Sequence, residues 1–468
     1  MIDMRHEQRL LWEGFFAPEA SQWEPWMKKI DPLLEDEELL ELVHSALGKR
    51  HPLSRQRGRK QTPAEVVLRL LVLKHVRNWS YAEVEREVRP NVVYRKFARI
   101  EAGKVPDEKS LARQCRALGP DVIEKIHQRI VELAQENHVV SGRKLRVDTT
   151  VVESNIHYPT DSSLLADGIR VLTRTMQKIT ALAGQAGTAL RNRLRTAGRQ
   201  AMQIARTSRN KGAQVEEKLK QGYRKLLMVT RKVVNQAQRF GDEIASGVKQ
   251  AHEKQAALQG LQQELETMIP RVKQVIRQTR ARVFRGNPHA PNKLLSLFEP
   301  QTEVIRKGKA SRPNEFGKMV KIQEAENQII TSYCVYRERP SDSDLLVPSV
   351  EVHRQRLGRV PDLAAGDAAF YSAANEREVL AMGVKRVSVP SRSTKSAVRK
   401  QLQKKRWFKK GQKWRTGCEG RISVLKRRHG LNRCRYRGPD GFDRWVGLGV
   451  IADTLINIGR VLVQRNSS

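Results

Sequence analysis

Leu39, Leu40, Val43 and Leu47 recur at helical spacing after Asp36, and the apolar positions up to residue 55 predict mostly helix, ending in the basic turn HPLSRQRGRK. Between residues 60 and 135 the chain reads as short capped helices. Thr62-Pro63-Ala64-Glu65 has the form of a capping box with Pro at the first helical position, opening VVLRLLVLKHV. A second box, Ser80-Tyr81-Ala82-Glu83, opens EVEREV after the turn Arg77-Asn78-Trp79, and Asp107 caps KSLARQCRAL, which Gly119 closes. Such helices predict an all-α N-terminal domain over 1–135, either a helix-turn-helix module or a small bundle used for dimerisation.

The period then changes to two. RKLRVDTTVVESNI, residues 143–156, alternates as a strand with Asp148 at its middle. Pro159-Thr160-Asp161 starts a helix, with Asp161 as its simplest cap. Leu258, Leu261, Leu265, Met268, Val272 and Val275 then form a coiled-coil-like seam that Pro270 interrupts locally, or the apolar face of an ordinary helical subdomain covering its own core. Strand patterns return after Asn287-Pro288 and Ala290-Pro291: Lys318 to Ile322 and Ile329 to Tyr336 form a hairpin across EAENQ. A βαβ pattern follows, from DLAAG up to Asp367, through AANEREVLAM, to VKRVSVP. The chain closes with a helix containing Glu419 and the apolar helix WVGLGVIADTLINIGRVLV. The expected fold is α/β. Its core occupies residues 140–167 and 291–468, interrupted by a long all-α insertion over 168–290.

Charge turns this pattern toward a partner. The 468 residues hold 88 Lys+Arg against 50 Asp+Glu, a net charge of +38, which points to nucleic acid; a ribosomal or nucleoid protein is the plain alternative. Gly168 to Val215 has ten basic residues and no acidic one, and Ser391 to Gly430 has fifteen against the single carboxylate of Glu419. Cys115, Cys334, Cys418 and Cys434 show no metal-binding spacing, no apolar run approaches membrane-spanning length, and MIDMRHEQRLLWEGFF lacks the order of a signal peptide. A reduced, cytoplasmic protein away from membranes is expected.

Three carboxylates stand out. Asp148 lies inside a β-branched strand, where a charge is costly unless paired or bound to metal. Asp367 is at the carboxyl end of a strand, where α/β sheets place ligands. Glu419 sits in the basic field with Arg415 four residues before and Lys426 seven after, on one helix face; its plain alternative is an exposed Arg–Glu pair. Only a shared sheet could gather them, as an RNase H-like mixed sheet with helices on both faces does, and hard oxygen ligands suit Mg²⁺ or Mn²⁺. Arg415, Arg421, Lys426, Arg427 and Arg428 are candidate phosphate contacts, and Trp414 is a candidate base-stacking ring, or more simply a core or surface tryptophan. Glu153 faces the other side of its strand, Asp362 precedes its strand, and His157 and His429 are expected as phosphate or surface contacts.

This trio, with RVDTTVVESNIHYPTDSSLLADGIRVLTR around the first Asp, resembles the DDE transposases of bacterial insertion sequences, nearest to the ISNCY group and its relatives. GRKQTPAEVVLRLLVLKHVRNWSYAEVEREVRPNVVYRKFAR resembles their helical N-terminal domain. The signature Tyr-(2)-Arg-(3)-Glu-(6)-Lys is met by Arg415, Glu419 and Lys426; Gln412 holds the Tyr position, with Trp414 close enough to substitute. The resemblance runs from about Gly58 to Ile458. It implies that Asp148, Asp367 and Glu419 bind two Mg²⁺ ions, for which Mn²⁺ can substitute, to nick element ends and join the 3′-OH to target DNA. It further implies a homodimer or larger assembly on the terminal repeats and target duplex, in the bacterial cytoplasm at the nucleoid. The rivals are a non-catalytic DNA-binding relative and a metal-dependent endonuclease that cuts without joining.

Overall fold

The structure, a computed structural model, describes residues 3–5, 23–49, 61–100, 103–212, 214–251, 254–306 and 314–466. The basic turn at 51–60 lies outside the described residues. The chain forms two compact units, residues 1–155 with 305–468, and residues 156–304.

The first unit begins with helices α1 (Pro25–Ile30), α2 (Glu37–Gly48), α3 (Ala64–Val76), α4 (Tyr81–Val88), α5 (Val92–Phe97) and α6 (Glu108–Glu136). Ser80 and Glu83 close the expected capping box on α4, worth about 1 kcal/mol, and Asp107 caps α6. The box at Thr62 does not form: α3 starts at Ala64 with no side-chain cap, because the Glu65 carboxylate is buried and taken by Arg69 Nε at 2.9 Å. Gly119, at φ 73°, breaks α6 where the sequence ends that helix, and Pro120 restarts it.

A six-stranded mixed sheet follows, built from β1 (Lys144–Glu153), β2 (Glu303–Arg306), β3 (Asn314–Glu324), β4 (Ile330–Val335), β5 (Leu363–Ala365) and β6 (Arg386–Ser388). Its order is β2-β3-β1-β5-β6, with β4 also paired to β3. The β1–β3 and β3–β4 pairs are antiparallel, and the β1–β5 and β5–β6 pairs are parallel.

The two-residue period of β1 sorts its side chains. Leu145, Val147 and Val151 pack with Leu346, Val350, Phe370 and Val379 from the side carrying α11 (Leu346–Leu357) and α12 (Ala373–Ala381). Val152 packs on the other side with Leu425, Trp445 and Val446. These come from α14 (Arg406–Arg428), which follows α13 (Ala397–Lys404), and from α15 (Gly438–Arg465). Arg146 and Asp148, even-numbered like Val152, therefore face the α14 side.

α15 corrects one expectation: it is long and apolar enough, by length and composition, to cross a membrane. Its apolar surface is spent inside the protein. Leu448, Ile451, Leu455 and Ile458 share one core with Leu39, Val67 and Leu71 of the N-terminal helices, while Trp445 and Val450 cover the sheet. The boundary expected at 135–140 therefore does not separate two cores.

The second unit holds α7 (Asp161–Ala183), α8 (Leu194–Thr207), α9 (Val215–Ala245) and α10 (Gln255–Arg285). The expected coiled-coil seam, Leu258, Leu265, Val272 and Val275, packs instead against Ile169, Leu172 and Leu226 within this unit, and α10 continues through Pro270. Thr160 rather than Asp161 caps α7; Asp161 is buried and pairs with Arg282 at 2.5 Å.

Candidate active site

Strand register brings the first two carboxylates together. β1 and β5 run parallel with Arg146 opposite Ala365, so Asp148 and Asp367 each follow that pair by two residues on neighbouring chain segments, about 4.8 Å apart where strands pair. Asp148 Oδ1 accepts the Thr149 N–H at 2.8 Å. Asp367 caps the short turn after β5, accepting the Ala368 N–H at 2.6 Å, with Arg392 Nη2 3.4 Å away.

The third carboxylate arrives on α14, which lies close over the sheet. A Cβ on Gly411 would stand 2.7 Å from the Ser388 side chain, and one on Gly417 would displace the Arg146 guanidinium. Arg415 then joins the acids: its Nη1 is 3.4 Å from Asp148 Oδ2 and its Nη2 donates to Glu419 Oε1 at 2.7 Å. The Arg415–Glu419 pair is the ordinary helical one the spacing predicts, and it gains a third member from β1.

Burial pushes the Asp148 carboxyl up to about 6; the Thr149 bond and Arg415 oppose this, while Asp367 and Glu419 add to it. For Arg415 burial favours loss of the proton, but Glu419, Asp148 and Asp367 outweigh it and hold the pKa above the usual value. All three carboxylates thus act electrostatically around one guanidinium. Among the described residues no group of three or more His, Cys, Asp or Glu is gathered closely enough to hold a metal ion. The donor chemistry nevertheless fits a hard divalent cation, because the three acids offer only oxygen.

The expected DNA contacts divide. Arg427 and Arg428 are exposed at the end of α14 and line a cleft of about 400 Å³ with Trp26, Arg77, Asn78 and Arg460. Lys426 is half-buried. Trp414 is half-buried against β1, its ring 4.8 Å from the Arg146 guanidinium and 5.8 Å from Lys144 Nζ. Arg421 is corrected: it is buried, and its Nη1 donates to the buried Asp453 of α15 at 2.7 Å, so it is not available to phosphate. His429 is likewise buried rather than on the surface, 3.4 Å from Asp453 Oδ1. His157 is exposed beside Asp167. Asp362 pairs with Lys385 at 2.8 Å, away from the trio's partners.

Gln412, which the sequence offered only as a departure from the signature's Tyr position, donates its amide to the Ser388 carbonyl and hydroxyl and to the Gly366 carbonyl, tying α14 to the strand ends beside Asp367. Its signal was its place one helical turn before Arg415. Sequence reasoning missed the buried cross-strand pair of Arg146 with Glu324, directly opposed in the β1–β3 register.

Residues 21–116 match the family of a transposase domain (DUF772), and residues 382–462 match the family of the transposase DDE domain. Both matches support a DDE transposase of an insertion sequence. The two spans cover less than half of the chain; the second contains α14 with Arg415 and Glu419, while Asp148 and Asp367 lie outside both. No curated protein and no solved structure matches the chain. The N-terminal match lies in the helices that share a core with α15, and the C-terminal match takes in α14 and α15 themselves.

Proposed function

We propose that this transposase is a divalent-metal-dependent DNA strand-transfer enzyme, with Asp148, Asp367 and Glu419 as its catalytic carboxylates on an RNase H-like core. The reading rests above all on the electrostatic coupling of three sequence-distant acids, from a mid-strand, a strand end and a basic helix, around Arg415. Two Mg²⁺ ions, or Mn²⁺ in their place, held by these carboxylates would supply Lewis-acid stabilisation of the attacking and leaving oxygens of a phosphodiester.

The chain's own residues do the rest. Thr149 N–H fixes one oxygen of Asp148, Ala368 N–H fixes one of Asp367, and Gln412 holds α14 against the strand ends. Arg415 balances the acids before substrate arrives, and Arg427 and Arg428 grip backbone phosphates, as the excess of +38 favours. Cleavage would expose a 3′-OH at each end of an insertion sequence and join it to target duplex, in a dimer or larger assembly because two ends must meet.

A plasmid carrying the gene's native flanking DNA tests this with Mg²⁺ present. Broken and joined ends from wild type but not from Glu419→Gln are the expected result. Equal products from both would remove Glu419 from the site, and broken ends without joining would leave a nuclease.

A further inference from the structure

The helical unit carries a cationic cleft that strand cleavage leaves without a task. α9 and α10 pack side by side, and Arg224, Met228 and Arg231 follow one another at spacings of four and three along one stripe of α9. α10 brings Arg280, Phe284 and Arg285 beside them, and together these side chains line an open cleft of about 540 Å³. Its apolar lining is unusually accessible: Met228 is 52% exposed and Phe284 half-buried. The Arg224 guanidinium lies 5.7 Å over the Phe284 ring and has Glu217 at 2.9 Å. Arg231, Arg280 and Arg285 are exposed and have no carboxylate partner among the described residues.

Three unbalanced guanidiniums around an open thioether and an aromatic ring call for a ligand that is anionic at its edge and flat and apolar at its centre. A base flanked by its phosphates has that chemistry. A rigid duplex presents phosphates but keeps its base faces stacked, so it would leave Phe284 and Met228 unused.

We propose that this cleft binds an unpaired stretch of the DNA substrate, with a base against Phe284 and Met228 and phosphates on Arg231, Arg280 and Arg285. The inference rests on the reading of the transposase as a DNA-acting enzyme and assigns its helical unit a strand-holding site.

Anisotropy of the full chain tests it, with a labelled duplex that is blunt or carries a single-stranded 3′ tail. Phe284→Leu keeps apolar bulk but removes the stacking plane, and should weaken the tailed duplex at least roughly fivefold while leaving the blunt one unchanged. Arg231→Glu with Arg280→Glu changes only exposed side chains. It should make the slope of log affinity against log salt shallower by about 1.4 on the tailed duplex, for two single-strand phosphates lost. Unchanged affinities in both variants, with wild type binding DNA, would overturn the cleft alone. Equal losses on blunt and tailed DNA would overturn the unpaired strand as its occupant. Wild type binding neither DNA would overturn the cleft and the DNA-acting reading together.

Discussion

Lys74 buries its ammonium beside three rings, 4.8 Å from Tyr81, 5.2 Å from Tyr436 and 4.8 Å from Trp445, and pairs with no carboxylate among the described residues. Burial lowers its pKa from 10.5 to about 8. Between those values the unfolded chain binds more protons at this group than the folded one, so its contribution to stability should rise as pH climbs from 8 to 10.5, with the full penalty standing below 8. The gap corresponds to at most about 3 kcal/mol, since the rings favour the charged form and offset part of it. The thiol and phenol pKa values of Cys334, Cys418, Tyr333 and Tyr336, raised by burial, lower stability over the same window in any variant, so the Lys74 contribution is read as a difference. In urea unfolding the advantage of Lys74→Met over wild type should shrink as pH climbs from 8 to 10.5, and a constant difference would contradict the assignment. Asp148 was legible in the sequence because a carboxylate interrupts a β-branched run. Lys74 was not, because its cage combines Tyr81 with Tyr436 and Trp445, which come from beyond residue 430.

At the scale of elements, α14 is the part on which the site depends most. It is anchored by Arg421 to Asp453 and by the Gln412 amide to the ends of β5 and β6. Asp453→Ala strands Arg421 and His429 in the interior, and should cost about 3–5 kcal/mol in urea unfolding. Arg421→Met combined with Asp453→Leu should recover most of that loss, because no charge is then left buried alone. A double variant as weak as the single one would rule out the ion pair as the cause. The helices of this region were readable from their periods and stops. Their anchoring was not: Arg421 resembled its basic neighbours, and the one hint was a lone Asp in the apolar run VIADTLI. The Thr62 cap misled for a related reason, since local spacing cannot reveal that Arg69 claims Glu65.

Across the whole molecule, the helical insertion has a core of its own, from Leu165 and Ile169 through Leu226 and Phe240 to Val275. Residues 156–304 expressed alone should therefore give helical circular dichroism and a cooperative thermal transition. A broad, non-cooperative melt would mean that this core needs the rest of the chain. The βαβ pattern that carries Asp367 was readable in the sequence. The sequence did not announce that the N-terminal helices and α15 share one core, because apolar stripes do not name their partners. The +38 charge indicated a nucleic-acid partner, and the site within it came from three acids that only strand pairing and one helix crossing bring near each other.

The central claim is that those acids form one divalent-cation site. It is tested most directly by titrating Mn²⁺ into the full chain bound to an element-end duplex, followed by electron paramagnetic resonance. Wild type should bind Mn²⁺ in competition with Mg²⁺. Asp148→Asn, Asp367→Asn and Glu419→Gln should each weaken binding by at least roughly tenfold, the loss expected even for an outer-shell partner. Equal Mn²⁺ binding by wild type and all three variants, each folded and holding DNA, would contradict the account.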